Sequence, residues 1–178
     1  LSGSLNVHGD LNVTAGGAVT QGGTIMNVTG TTNVNAVGFD VNLASNSNNF
    51  GGAVSVAGHN VSLGDIDDMV LGASTVSGDY LVGTFGNVTQ TGALNIAGTT
   101  TLQGTNITLN NAANDFQSAV EMVSVSTLIG NVSITDVNAI DLGEFTASGD
   151  FAITAGGAVT NSGALSVTGA TTVSAAGQ

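Results

Sequence analysis

Ala15-Gly16-Gly17-Ala18-Val19-Thr20-Gln21 recurs as Thr84-Phe85-Gly86-Asn87-Val88-Thr89-Gln90 and again as Ala155-Gly156-Gly157-Ala158-Val159-Thr160-Asn161, at offsets of 69 (84 − 15) and 71 (155 − 84) residues. A second segment downstream of each copy recurs too: Met26-Asn27-Val28-Thr29-Gly30-Thr31-Thr32, Leu94-Asn95-Ile96-Ala97-Gly98-Thr99-Thr100 and Leu165-Ser166-Val167-Thr168-Gly169-Ala170-Thr171. Asn49-Phe50 matches Asp115-Phe116, and Asn60-Val61-Ser62-Leu63 matches Asn131-Val132-Ser133-Ile134. The chain is therefore a tandem array, with units at about 15–83, 84–154 and a partial 155–178, preceded by the end of another unit at 1–14. An insertion near Val123 to Thr127 lengthens the second unit.

Within a unit the apolar residues alternate with polar ones, as in Val54-Ser55-Val56 and Asn106-Ile107-Thr108-Leu109, which is the pattern of short half-buried strands. Glycine and asparagine punctuate them, supplying turns, and no stretch shows helical spacing. Asn-Gly and Asp-Gly hairpin loops are scarce, which argues against a sandwich. Proline is absent, as expected where nearly every strand is central and must donate its N–H to a neighbour. The expected fold is all-β: a right-handed parallel β-helix with about three strands per coil and about eight coils in one segment, without a helical domain. A unit reads as about nine strand segments, hence about three coils of roughly 23 residues. Val28, Ile96 and Val167 are the expected core positions, with Val61, Val132, Leu63 and Ile134. Phe50 and Phe116 are expected to plug the space under a loop.

Composition excludes several functions. Lysine plus arginine is 0 and the net charge is −12, so no side chain can neutralise nucleic-acid phosphates or dock on anionic lipid. With 42% hydrophobic residues the chain can build a core, which separates it from disordered polar segments. No apolar run is long enough to cross a bilayer. Cysteine is absent, so disulfides say nothing of compartment.

Gly17-Ala18-Val19-Thr20-Gln21, Gly92-Ala93-Leu94-Asn95-Ile96-Ala97-Gly98-Thr99-Thr100-Thr101-Leu102 and Asn138-Ala139-Ile140-Asp141-Leu142-Gly143 resemble the repeats of filamentous-haemagglutinin-like giant exoproteins. The resemblance covers essentially the whole chain. It implies a β-helical fibre exported across the outer membrane of a Gram-negative bacterium, located at the cell surface, and used for adhesion, aggregation or biofilm scaffolding. Neither end reads as a cap, so the segment is expected to adjoin further repeats of a longer chain or to stack with copies of itself.

Candidate sites are few. Asp65, Asp67 and Asp68 form the densest acidic cluster, which reads first as a solvated turn, then as a weak calcium site, calcium being the one candidate cofactor, and last as the carboxylate pair of a polysaccharide hydrolase. The matching Asp136-Val137-Asn138 keeps only the first acid. His8 and His59 lack a zinc-like cluster and read as exposed turn residues. The Asn-x-Thr/Ser triplets at Asn12, Asn27, Asn60, Asn87, Asn106 and Asn131 read as strand alternation rather than glycosylation. The threonine pairs read as strand residues and the aromatics, Phe39 and Phe85 included, as core. Absent cationic groups remove most polysaccharide-lyase chemistry. The expected role is a structural or adhesive rod and not an enzyme, with host-cell or matrix glycans as its ligands; a carbohydrate-binding or polysaccharide-cleaving β-helix is the alternative.

Overall fold

The computed structural model describes residues 3–123 and 128–176. Residues 124–127 of the expected insertion lie outside the described residues. In chain order the strands are β1 (Ser4–Val7), β2 (Leu11–Thr14) and β3 (Val19–Thr20); β4 (Ile25–Val28), β5 (Thr32–Asn35) and β6 (Val41–Leu43); β7 (Asn49–Phe50), β8 (Val54–Gly58) and β9 (Val61–Asp65). They continue with β10 (Met69–Leu71), β11 (Ser74–Val76) and β12 (Tyr80–Thr84); β13 (Val88–Gln90), β14 (Leu94–Ile96) and β15 (Thr100–Gln103); β16 (Ile107–Leu109), β17 (Asp115–Phe116) and β18 (Val120–Met122). The last are β19 (Val132–Asp136), β20 (Ile140–Leu142), β21 (Phe145–Ala147), β22 (Phe151–Ala155), β23 (Val159–Asn161), β24 (Leu165–Val167) and β25 (Thr171–Ala175). Among the described residues there is no helix, and every strand pairing is parallel.

The chain is a β-solenoid. One ladder, β3-β6-β9-β12-β15-β18-β20-β23, runs through eight successive turns. Each strand lies over the strand one turn earlier, so Val19, Val41 and Val61 stack, as do Leu43 and Leu63. Alternation sends every second side chain into the bore: in β8 the residues Val54, Val56 and Gly58 are buried while Ser55 and Ala57 are half-exposed. Val28, Ile96, Val61, Val132, Leu63 and Ile134 are all core residues. Val167 packs partly buried against that core, in the strand that lies over β21. Burying one such side chain contributes about 1.5–3 kcal/mol, and the backbone ladder satisfies the amides that enclose it.

Two expectations are corrected by the register. Coils advance by about 20 residues rather than 23: Val41 lies under Val61, and Tyr80 under Thr100. Among the described residues a unit also contains ten strands rather than nine, since the repeated segments that begin at Val19, Val88 and Val159 are β3, β13 and β23. The extra strand was hidden because β10 and β11 are separated only by Gly72 and Ala73.

Ten strands at three per coil make three and one-third coils, so each unit ends one face further round the rod. The shift is built at a single strand. The face β1-β4-β7 stops at β7, and β8 then carries β10 on its first residue (Leu71 over Val54) and β11 on its last two (Thr75 over Ala57, Val76 over Gly58). One unit later the pattern repeats on the next face: Leu142 lies over Val120, and Ala147 bridges Ile129. Copies of the repeat therefore occupy different columns. Val28 stacks with Val7 and Phe50, and Ile96 with Val76 and Phe116.

Candidate functional site

Where β7 ends its face, three buried polar side chains gather, and one of them, Asp65, caps the open edge of β7. The loop after β6 brings Asn48, fully buried, back over Gln21 of the preceding coil. Its Nδ2 lies 3.1 Å from the Leu43 carbonyl, 3.2 Å from that of Gly64 and 3.1 Å from Gln21 Oε1. Its Oδ1 accepts the Met26 N–H at 3.0 Å and a bond from Gln21 Nε2. One amide thus ties together the chain at Met26, Leu43 and Gly64, positions in three layers of the rod. Asp65, also fully buried, turns its carboxylate onto the end of β7: Oδ2 accepts the Phe50 N–H at 2.9 Å, and Oδ1 accepts the Asp67 N–H at 3.2 Å. Burial pushes its carboxyl up to about 6 against the opposing pull of those N–H groups.

The second unit rebuilds the same clamp. Asn114 Nδ2 reaches the Leu109 and Thr135 carbonyls at 3.1 Å each and Gln90 Oε1 at 2.9 Å, while Oδ1 accepts from Leu94 N at 3.0 Å. Asp136 Oδ2 accepts the Phe116 N–H at 2.7 Å and Oδ1 the Asn138 N–H at 2.8 Å. Burial raises this carboxyl as well. The sequence signal was present, since Asn48 and Asn114 directly precede the matched pairs at Phe50 and Phe116. Sequence reasoning missed it because a polar pattern alone does not separate a solvated amide from one bonded to backbone.

At the outer corners a second device recurs. The side chain before each strand accepts the N–H of its equivalent one coil on: Asp40 from Asn60 at 3.1 Å, Asn60 from Asp79 at 3.0 Å and Asp79 from Thr99 at 2.9 Å. A parallel column runs from Asp68 to Asn87 (2.7 Å), continues through Asn106 to Asn131 (2.9 Å), and passes from Asn131 to Asp150 (2.8 Å) and on to Ala170 (2.8 Å). Hence Asn60, Asn87, Asn106 and Asn131, the first residues of sequon-like triplets, are corner acceptors, and the central Val61, Val88, Ile107 and Val132 face the bore.

The acidic cluster is not one site. Asp65 points inward, so the expectation of a solvated turn fails for it: the carboxylate stands in for the strand that β7 lacks above it. Asp68 belongs to the corner column. Among the described residues no group of three or more His, Asp or Glu side chains is placed to hold a metal ion. His59 lies on the surface with Nδ1 3.1 Å from Asp40 Oδ1, and His8 is exposed just after β1. Phe50 and Phe116 are buried where their faces end, and Phe145, Phe151 and Tyr80 fill the bore, with the first two rings 4.9 Å apart. Phe39 and Phe85 are instead 43% and 49% exposed, because both sit at corners outside the strand alternation. Thr32 and Thr100 face inward, so the threonine pairs do not build a flat outer array.

A family model described as "Repeats of unknown function (DUF5649)" matches residues 2–57, 58–123 and 129–178. The chain belongs to this family. The DUF5649 matches begin at 58 and 129, 71 residues apart, and skip 124–128, where the second unit is longer. The two starts are structurally equivalent, for Gly58 and Ile129 are the residues that carry Val76 and Ala147 at the face shift. No curated protein and no solved structure matches the chain.

Proposed function

We propose that these repeats form a stretch of stiff extracellular stalk, of the kind used by filamentous-haemagglutinin-like adhesins of Gram-negative bacteria, with a mechanical rather than a catalytic role. The observation that carries this reading is the continuous eight-strand ladder reinforced by buried amides that each join three layers. At ~4.8 Å per strand such a ladder is a rod on the order of 35 Å long, and tandem units extend it without a change of plan. Its units couple to their neighbours only, so length can vary freely. The −12 charge, with no lysine or arginine, keeps neighbouring rods apart in solution.

Small-angle scattering and electron microscopy of the purified 178-residue chain test the mechanical part, and surface labelling of the parent organism tests the location. An elongated particle of constant cross-section, or a filament built from such particles, is expected. A compact particle, or label confined to the cytoplasm, would overturn the reading.

A further inference from the structure

The face shift leaves a mark on the outside of the rod. Because β8 carries both β10 and β11, the chain between them bends at Gly72 and Ala73, directly above the outward-facing Ser55: a Cβ built on Gly72 would lie 2.1 Å from Ser55 Oγ. Ala73 is exposed there, and it forms a step at the top of the flat face made by β2, β5 and β8. Beneath the step lies a cleft of about 260 Å³, whose polar lining is Asn12, Thr14, Asn33, Asn35, Ser55 and Thr75. The second unit has a cleft at the equivalent place, lined by Glu121, Glu144 and Thr146, which correspond to Ser55, Ala73 and Thr75. The fold therefore makes the cleft, and the residues in its columns decide its chemistry.

We propose that the step where one face becomes two is the ligand-binding position of the repeat, and that in the first unit it takes a neutral oligosaccharide lying along the rod. The first cleft presents amides and hydroxyls and no titratable group. Thr14, Asn35, Ser55 and Thr75 make no side-chain hydrogen bond within the described chain, whereas the buried asparagines and the corner asparagines are committed to backbone. Asn33 Nδ2 reaches only Asn12 Oδ1, at 3.3 Å. Each amide offers both donor and acceptor, and the columns repeat them at the ~4.8 Å spacing of the strands. A polyhydroxyl chain can pair with such a series, while an ionic ligand would surrender hydration without meeting a counter-charge. The acidic second cleft offers no such surface. This assignment is independent of the stalk reading, since a rod can be mechanical with or without a bound glycan.

The test is calorimetric and NMR titration of the whole 178-residue chain with tetrasaccharides of glucose, mannose and galactose, and with an oligogalacturonate as the anionic probe. Saturable binding of at least one neutral probe is expected, weakened about tenfold or more by Asn33→Ala with Asn35→Ala, and unchanged by Thr101→Ala on another face. Ser55→Ala and Thr75→Ala give the same test should the asparagine pair disturb folding, which circular dichroism reports. The proposal fails if no neutral probe binds, if binding survives these substitutions, or if only the anionic probe binds. Particle shape in scattering is unaffected by any of these outcomes and continues to report on the stalk reading alone.

Discussion

The carboxylate of Asp65 accepts the backbone N–H of Phe50 at 2.9 Å and thereby ends a face of the solenoid without a strand above it. In a parallel ladder the Phe50 amide would otherwise point at the next coil and find no carbonyl there. A buried acceptor solves that problem, but it ties the strength of the joint to the ionisation of one carboxyl, and Asp136 repeats the arrangement with Phe116.

Stability should therefore depend on pH. The carboxyl of Asp65 titrates at about 6 in the folded chain, above the ordinary 3.8. A group shifted upward favours the folded state fully below its unfolded value, and that contribution is lost as pH rises through 6. Asp136 acts in the same direction. The urea midpoint is expected to be higher at pH 4.5 than at pH 7.5, and Asp65→Asn should remove about 1–2 kcal/mol of that difference, given that each tenfold change in an acid's ionisation constant corresponds to about 1.36 kcal/mol. General relief of repulsion among the surface carboxylates also acts in this direction, and it survives in the variant. An unchanged pH difference in Asp65→Asn would refute the linkage.

Asn48 makes a sharper demand. Replacing it by alanine strips the carbonyls of Leu43 and Gly64 and the N–H of Met26 of a buried partner, at about 1–3 kcal/mol for each group left unsatisfied. Asn48→Asp is expected to fare no better, since a carboxylate places oxygen against both carbonyls. Nearest-neighbour coupling should confine the damage. Amide hydrogen exchange is expected to quicken from β4 to β9 and to stay slow from β19 to β22. Uniform acceleration along the rod would show that coils do not act as separable layers.

Much of this architecture was legible in residues such as Val54-Ser55-Val56, where alternation alone identifies the strand and its inward side. The repeat supplied the solenoid, and the burial of Val61 and Val132 in the core came with it. The face shift was not legible, because which strand lies over which is a long-range property: nothing local to Leu71 says that it sits on Val54 while Thr75 sits on Ala57. The buried polar groups were missed for a related reason. Asp65 and Asp68 are near neighbours of one type, yet one is buried over Phe50 and the other lies at an outer corner, and only the register distinguishes them.

Glycines offer a paired test of the corner column. A Cβ on Gly98 would lie 2.5 Å from Asp79 Oδ1 and 2.5 Å from the Gly78 carbonyl carbon, whereas one on Gly17 would meet nothing within 4 Å. Gly98→Ala must therefore displace the Asp79 side chain from the Thr99 N–H or spread two coils, and a loss of about 1–3 kcal/mol is expected. Gly17→Ala should be near neutral, or stabilising by a few tenths through the unfolded chain. Thermal denaturation of both variants checks the contrast, and equal losses would show that the corner packing is looser than these distances require.

Disulfide trapping addresses the count of ten strands per unit directly. Thr75 and Asn95 are exposed and lie in register on adjacent parallel strands, β11 and β14. Neighbouring strands at ~4.8 Å bring such Cα atoms within the roughly 4.4–6.8 Å range a disulfide accepts. The natural chain contains no cysteine, so the pair Thr75→Cys with Asn95→Cys can be oxidised without competing thiols. It should cross-link rapidly and intramolecularly. The equivalent pair one unit on, Thr146→Cys with Ser166→Cys, should behave alike, because the same register recurs between β21 and β24. Coils of roughly 23 residues would instead place Gly72 under Asn95. A chain that cross-links through Gly72→Cys with Asn95→Cys, and not through the first pair, would have three whole coils per unit and no rotation of its faces.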